Sequence, residues 1–324
     1  MDRRGHLTGK SSVPDATVID GAARGLPISR RAQRRRAGDA LMPYLYILPA
    51  ALIVGLVIVY PLVDVFQAST QTLSAGASQY VGGANYDLVR TDPVFWQAVR
   101  DNATLLLAVP ILVVLSLLFA VLLFERVRGW RIYRTLIFLP YIMAITVIGT
   151  VFGLLYEFDG PLNVALRGLH LNWLALDWLG NANLAIPSVM SVIIWRELGF
   201  GTILFLARLM SVREELFEAA RLDGANWWQV QWHITVPQLR TVIEFFIIIE
   251  IINMMSGVFN YIYVMTSGGP GFASQVLEFY IWQNAFAFRQ GGIAAAAAVL
   301  LLGVTVVFVF LQFRVRRGGT VADE

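Results

Sequence analysis

The sequence predicts an all-α integral membrane protein with six transmembrane helices and both termini on the cytoplasmic side. Of its 324 residues, 57% are hydrophobic and 15% are charged, a balance outside the range of ordinary soluble domains. Long uncharged runs recur along the chain, and each is long enough to cross a hydrocarbon core of about 30 Å. Basic residues are concentrated in alternate connections, an asymmetry that orients membrane helices.

The predicted spans are uncharged or nearly uncharged runs separated by polar connections. Arg196 and Glu197 interrupt the fourth run, and a Gly-rich and Pro-containing stretch at 267–271 ends the fifth. Residues 274–288 predict an amphipathic helix on the external side. The six runs cover residues 40–63, 102–124, 135–156, 185–210, 237–266 and 290–313.

The two ends of the chain are predicted to be polar tails around a membrane domain at 41–317. Residues 1–40 are rich in Arg, Gly and Ser and have no apolar signal-peptide core, which predicts a disordered basic cytoplasmic tail. Residues 318–324 predict a second cytoplasmic tail. The tail sequence from Gly5 to Ser11 has three residues between its glycines where a phosphate-binding loop has four. ATP would therefore have to bind to another chain.

The distribution of basic residues predicts the orientation. Besides the two tails, the turn after the second span and the loop at 211–237 with its edges are basic, and we place them in the cytoplasm. The arginines in these two connections are Arg126, Arg128, Arg131, Arg134, Arg208, Arg213, Arg221 and Arg240. The opposite side has Arg90, Arg100, Arg167 and Arg289.

Composition argues against several other classes of protein. The chain has no cysteine, and its three histidines are far apart, which disfavours disulfides and a metal site. A formal charge of +3 does not imply nucleic acid as a partner. No nucleophile is paired with a base in the sequence, which disfavours an enzyme.

The loop at 211–237 is a polar connection between two apolar spans. Ser211 followed by Glu214 predicts a capping box at the start of a first helix. Gly224 is predicted to end that helix, because glycine adopts the left-handed conformation without a Cβ penalty. Asn226 is predicted to cap a second helix that ends at Ile234, and Pro237 to open the fifth span.

The spacing of residues in this loop resembles a motif of permease subunits of binding-protein-dependent ABC importers. The matching residues are Glu218, Ala219, Ala220, Gly224, Ile234 and Pro237, and Val236 stands where the family pattern usually has Leu. An ordinary amphipathic connecting helix is the alternative. The strings at 139–140 and 259–270 resemble the carbohydrate branch of the family, similar to maltose and glycerol-3-phosphate permease subunits.

The resemblance implies a type I ABC importer permease fold in the cell membrane, with a carbohydrate or related polyol as substrate. It implies three kinds of partner: a second permease subunit in a heterodimer, two ATPase subunits that bind ATP and Mg, and an external solute-binding protein. This chain itself would be non-catalytic and bind no cofactor. An ABC permease for a non-sugar solute is one alternative, and a proton-coupled carrier using Glu244 and Glu250 is another.

The resemblance also implies roles for residues of the loop. Glu218 would offer charge to the ATPase, Ala219 and Ala220 would allow close approach, and Gly224, after Asp223, would set the angle between the two helices.

Polar residues inside the fifth span require an explanation, because an unpaired polar group is costly in lipid. Glu250, Asn253, Gly257 and Asn260 fall on one face of a helix, and Ser256 is adjacent. This stripe is predicted either to line the translocation path or to pack against the partner subunit.

Charged residues in and beside the spans give two further predictions. Trp195-Arg196 resembles a motif of the carbohydrate branch, which implies a structural or gating role. Arg196 and Glu197 are about 100° apart on a helix and are predicted not to face the same partner. Arg240 and Glu244 are predicted to pair at i,i+4.

Overall fold

The computed structural model describes residues 30–74 and 77–319. The described residues divide into two compact units, one up to Tyr60 and one from Pro61 onward. The first unit contains α1 (Arg30–Val54) followed by a π-helical stretch, Gly55–Val59. The predicted disordered tail lies outside the described residues up to position 29, but residues 30–40 are helical. Alanine, arginine and glutamine favour helix, so the helix of the first span extends into the tail.

The described part of the second unit is mainly helical, and it contains a hairpin formed by β1 (Gln71–Ser74) and β2 (Ala77–Tyr80), which pair antiparallel. A 3₁₀ turn lies at Asn172–Leu174, and π-helical stretches lie at Gln231–Thr235 and Gln283–Ala287. The further helices in chain order are α2 (Tyr60–Ser69), α3 (Ala84–Thr91), α4 (Pro93–Leu105), α5 (Ala108–Phe124), α6 (Trp130–Ile142), α7 (Ile145–Leu155), α8 (Pro161–Gly168), α9 (Ala185–Leu209), α10 (Glu214–Leu222), α11 (Trp227–Val230), α12 (Val236–Ser256), α13 (Phe259–Met265), α14 (Leu277–Trp282) and α15 (Gly291–Gly319).

Within residues 30–74 and 77–319, four helices are long and apolar enough to cross a membrane, or up to six if each of two bent pairs is one span. Each of the six predicted runs overlaps one of these segments, so the positions agree with the sequence. The four are Met42–Ser69, Pro93–Phe124, Ala185–Leu209 and Gly291–Leu311. The bent pairs are α6 with α7, at 99°, and Trp227–Ser256 with α13, at 45°.

The bend between α6 and α7 was not predicted, and the third span is not one straight helix. Met143 and Ala144 are extended at the bend, with ψ of 146° and 136°. The Pro140 carbonyl, inside α6, still accepts a hydrogen bond from the Met143 amide at 3.2 Å. The helix therefore continues past Pro140 and ends at Ile142. Beyond the bend α7 packs on α13, and a Cβ at Gly149 would lie 3.4 Å from Val264. Close packing between distant segments therefore accompanies the change in direction.

The core of the second unit lies around α9, which packs against α5, α6 and α12. Phe205 of α9 and Phe246 of α12 are both fully buried, with ring centroids 5.2 Å apart. Two glycines permit α9 to approach its neighbours closely, Gly199 on the side of α6 and Gly201 on the side of α12. A Cβ at Gly199 would lie 2.6 Å from the Ile137 carbonyl, and one at Gly201 only 2.6 Å from the Phe246 ring. Small residues bring helix backbones together in membrane proteins, as they do here.

The polar segment after the first span contains structure that the sequence did not predict. Asn85 of α3 is buried, and its amide donates to the carbonyls of Ser69 at 2.9 Å and Gln71 at 2.8 Å. These bonds attach α3 to the start of the β-hairpin. The predicted external helix at 274–288 is present over a shorter length, as α14 and the π-helical stretch that follows it.

Candidate functional site

The loop between α9 and α12 forms a helix, a tight turn and a second helix. Gly224 has φ of +78°, in the left-handed region, as predicted. The Ala225 amide donates to the Ala220 carbonyl at 3.0 Å, and the Gly224 amide donates to the Arg221 carbonyl at 3.1 Å. This pair of bonds is the Schellman motif, which satisfies the last carbonyls of α10 and fixes the direction of the chain after it.

The start of the second helix also follows the prediction. Asn226 caps α11: its side chain accepts from the Gln229 amide at 3.0 Å, and the Gln229 side chain accepts from the Asn226 amide at 2.7 Å. The predicted capping box at Ser211 is wrong, because α10 begins after Arg213. The Ser211 hydroxyl instead donates to the Arg208 carbonyl at 2.7 Å, at the end of the preceding helix. A local bond to α9 therefore replaces the cap.

One face of the loop is exposed and the other is fixed to the rest of the unit. Phe217 is buried and packs against Phe124 with ring centroids 5.4 Å apart. The indole N–H of Trp227 donates to the Glu125 carboxylate at 2.7 Å, which connects α11 to the turn after α5. These two contacts hold the loop against the unit while leaving its opposite surface accessible.

The accessible surface carries most of the predicted coupling residues. The side chains of Glu218, Ala219 and Asp223 are exposed, as is Gly224. A cavity of about 300 Å³ opens at the turn. Its lining includes four of the predicted residues, Ala220, Asp223, Gly224 and Ile234. Pro237 lies outside the cavity, in the first turn of α12.

The helix that begins at Trp227 continues to Ser256 without interruption. The prediction of a separate helix ending at Ile234 is therefore wrong. Pro237 lacks an amide hydrogen, but a proline is tolerated in the first turn of a helix, where it lies in α12. The chain before it runs through the π-helical stretch Gln231–Thr235, where the Val236 amide donates to the Gln231 carbonyl. The second half of the loop and the fifth predicted span are thus parts of one helix.

This long helix ends at a bend around Gly257. The Gly257 amide still donates to the Asn253 carbonyl at 2.8 Å. The next two amides, of Val258 and Phe259, donate instead to the Glu278 carboxylate of α14 at 2.9 and 2.7 Å. Burial raises the pKa of the Glu278 carboxyl, while the two amides oppose that rise. Glu278 thus supplies the acceptor that the bend removes from the helix.

Buried hydrogen bonds position α14 beside the bend. The Asn102 side chain on α4 donates to the Met254 carbonyl at 2.8 Å and accepts from the Leu277 amide at 2.8 Å. The Tyr280 hydroxyl donates to the Asp92 carboxylate at 2.7 Å. Three helices, α4, α12 and α14, are therefore joined within one turn of Gly257.

A cavity of about 490 Å³ opens where α13 and α14 meet beyond the bend. We call it the bend cavity. Its walls combine polar groups with aromatic rings, and the Trp282 ring contacts Phe259 with centroids 6.0 Å apart and Phe286 at 6.3 Å. The residues that line it are Ser256, Gly257, Phe259, Asn260, Glu278, Ile281, Trp282 and Phe286.

The predicted stripe in the fifth span is divided by this bend. Ser256, Gly257 and Asn260 line the bend cavity, but Glu250 and Asn253 do not. Glu250 is fully buried, and neither of its carboxylate oxygens has a hydrogen-bond partner among the described residues. The prediction of one continuous helical face is wrong, because α13 departs from the axis of α12 by 45°.

The predicted gating residues, Trp195 and Arg196, lie on α9, where Arg196 contacts α6 and Trp195 contacts α7. Arg196 forms an ion pair with Glu197, donates to the Tyr141 carbonyl at 3.2 Å, and places its guanidinium 5.0 Å from the Tyr141 ring centroid. Arg196 and Glu197 pair with each other, and of the two only Arg196 bonds to Tyr141. A long arginine side chain can reach back to its neighbour although the two Cα–Cβ directions diverge. Trp195 packs on Phe152 at 5.1 Å.

The sequence missed several residues of the site. Phe259 belongs to the string that resembles the carbohydrate branch, so a signal for it was present. Glu278, Trp282 and Asn102 carried no such signal, because their roles depend on contacts between segments that are distant in the chain.

Comparison with known proteins identifies the class. Residues 97–318 match the family described as "Binding-protein-dependent transport system inner membrane component". The chain belongs to this family, which confirms the resemblance drawn from the loop.

Individual relatives agree with this assignment. The chain is 34% identical over 286 residues to the probable ABC transporter permease protein YurN of Bacillus subtilis, covering 87% of this chain and 98% of YurN. It is 28% identical to the lactose transport system permease protein LacF of Rhizobium radiobacter, covering 85% and 93%. A solved bacterial alginate ABC transporter, in complex with its alginate-bound periplasmic protein, has the same fold with a TM-score of 0.75, 24% identity and coverage of 87% and 96%.

Proposed function

We propose that this chain is a transmembrane subunit of an ATP-driven importer that takes up a carbohydrate or related polyol. The family assignment supports membership of a binding-protein-dependent system. The expected partners are a second permease subunit, two ATPase subunits that hold ATP and Mg, and a solute-binding protein outside the membrane. The chain itself moves the solute without catalysing a reaction and binds no cofactor.

One observation carries the proposal: the exposed loop and the bend cavity lie at the two ends of the same helix. Trp227–Ser256 has 30 residues, so at about 1.5 Å per residue it is about 45 Å long. A movement imposed on the loop would reach Gly257 with little loss, because a continuous helix transmits displacement along its axis. This geometry suits a rigid-body switch between inward-open and outward-open states.

The loop is the surface that we assign to the ATPase. Glu218 offers a charge, Ala219 and Ala220 leave room for close approach, and the turn at Asp223-Gly224 fixes the angle between the two helices. Ile234 and Pro237 connect this surface to the long helix.

We propose six spans, with each bent pair crossing the membrane once. Both termini and the 211–237 loop then lie in the cytoplasm, and the bend cavity lies toward the outer side of the inner membrane. The distribution of arginines supports this orientation through the positive-inside rule. Trp195 and Arg196, near the middle of α9, are proposed to support gating through their contacts with Phe152 and Tyr141.

The lining of the bend cavity supports a carbohydrate as the solute. Ser256, Asn260 and Glu278 provide groups that hydrogen-bond hydroxyls, and the aromatic rings provide flat apolar surfaces for the face of a sugar. The names of relatives, such as the lactose transport system permease protein, agree with this class of substrate. A non-sugar solute is the closest alternative.

The proposal is tested by reconstituting the chain in liposomes with its partner permease, ATPase and binding protein. We expect uptake of one member of a panel of sugars and polyols to require ATP and the binding protein. Uptake of amino acids or inorganic ions in place of every sugar would contradict the substrate class but not the coupling scheme.

A proton-coupled carrier remains the second candidate because of the buried, unpartnered carboxylate of Glu250. Its other predicted relay acid, Glu244, is paired with Arg240 at 3.0 Å, which weakens that case. Collapsing the proton gradient separates the two. Uptake by the importer continues while ATP is supplied, whereas uptake by a proton-coupled carrier stops.

A further inference from the structure

A third cavity lies between α5, α6 and α9. Its volume is about 450 Å³. We call it the α5–α6–α9 cavity. Its lining is apolar apart from the polar tips of Tyr133 and Trp195, and several of its walls, including Leu136 at 57% exposure, are open to the surroundings. In a protein of the inner membrane, such walls face hydrocarbon.

A basic turn forms one end of this cavity. Val127 and Tyr133 line the cavity, and four exposed arginines lie next to them in sequence. None of the four forms an ion pair with a carboxylate among residues 30–74 and 77–319. These arginines are Arg126, Arg128, Arg131 and Arg134.

The one acidic residue of the turn is already engaged. The Glu125 carboxylate accepts the Trp227 indole N–H at 2.7 Å, on the side of the coupling loop. Gly129, with φ of +87°, turns the chain between the arginines and lies against Tyr133. The turn therefore carries four arginines next in sequence to residues that line an apolar cavity.

The dimensions of the cavity fit one acyl chain. On α6 the lining runs from Tyr133 to Pro140, a distance of about 10 Å at about 1.5 Å per residue. One leaflet of a bilayer has a hydrocarbon depth of about 15 Å. A cavity of this length fits within a single leaflet.

We propose that the α5–α6–α9 cavity is a binding site for an anionic phospholipid. Its acyl chain lies against Leu136, Ile137 and Trp195, and its phosphate is held by the arginines of the 126–134 turn. Basic residues at the membrane surface beside an apolar cleft between helices are the arrangement that recognises anionic headgroups. An acyl chain fits the apolar walls, and a negatively charged headgroup complements the four arginines, which form no ion pair within the part of the chain that the structure describes.

The headgroup contact is tested with the purified complex of full-length chains in detergent, after delipidation. Binding of phosphatidylglycerol and of phosphatidylcholine with identical acyl chains is measured by native mass spectrometry. We expect Arg128→Gln with Arg131→Gln to weaken phosphatidylglycerol binding about 30-fold and to leave phosphatidylcholine binding unchanged. The matched control, Arg90→Gln with Arg289→Gln, removes two exposed arginines elsewhere and should have no effect. Equal binding of both lipids to the unmutated complex would overturn the proposal.

The acyl-chain contact is tested separately on α6. Leu136→Trp fills the cavity and should reduce binding of phosphatidylglycerol, whereas Leu139→Trp, at a similarly exposed position outside the lining, should not. A photo-crosslinking amino acid at position 136 should capture phospholipid. Capture of the second permease subunit in its place, or equal effects of the two tryptophans, would refute the lipid site. Neither experiment measures transport, so the results of both are independent of the proposed import function.

Discussion

Replacing Gly224 with valine is expected to uncouple ATP hydrolysis from solute uptake. The residue has φ of +78°, and a Cβ there would meet no atom within 4 Å. The cost is therefore conformational and not steric. A residue with a Cβ pays about 1–2 kcal/mol in the left-handed region, and a β-branched residue such as valine lies at the upper end.

The turn can avoid this strain only by giving up its hydrogen bonds. The two Schellman bonds, at 3.0 and 3.1 Å, contribute about 0.5–1.5 kcal/mol each, so the two routes have similar costs. A penalty of about 2 kcal/mol lowers the population of the native turn relative to its alternatives by about 30-fold. The membrane segments are not affected, because the turn is exposed and lies outside their packing.

The assay is the ratio of ATP hydrolysed to solute imported in reconstituted liposomes. For Gly224→Val we expect normal membrane insertion, retained ATP hydrolysis and a ratio at least several-fold above wild type. Gly224→Asn is the matched control, because asparagine also adopts the left-handed conformation, and it should remain close to wild type. If valine left the ratio unchanged, or if asparagine uncoupled transport as strongly as valine, the assigned role of this turn would be refuted.

Three further predictions concern the bend. Asn260→Leu should reduce uptake and solute-stimulated ATP hydrolysis, while Asn253→Leu, outside the cavity lining, should change them less. Equal effects of the two substitutions would count against the cavity as the solute path. Asn102→Ala leaves the Met254 carbonyl and the Leu277 amide without partners, so we expect a loss of about 2–4 kcal/mol in stability, seen as a lower melting temperature. Burial raises the pKa of the Glu278 carboxyl, so the folded protein holds this proton more tightly than the unfolded chain does. The group therefore stabilises the fold most below its ordinary pKa of 4.5, and this contribution is lost as pH rises through the raised pKa. Thermal unfolding of Glu278→Gln should lack this component, and identical pH profiles would disprove it.

Local sequence signals predicted the parts of the fold that depend on neighbours in the chain. The spans follow from composition, and the turn at Gly224 and the cap at Asn226 follow from the conformational preferences of those residues. The pair Arg240–Glu244, with 3.0 Å between its charged atoms, follows from i,i+4 spacing on a helix. Each of the last three features is determined within a few residues, and the structure confirms them. For the spans, the structure has apolar helices at the predicted positions.

The sequence alone therefore determined that this is a helical membrane protein with a polar loop of the permease type between two of its apolar segments. The tertiary structure decided where its helices bend and what fills the bends. Glu278 replaces acceptors lost at Gly257, and Asn102 joins helices more than 150 positions apart in the chain. Such contacts leave no periodic pattern, because a hydrogen bond between distant segments depends on the packing of both and not on the residues beside either.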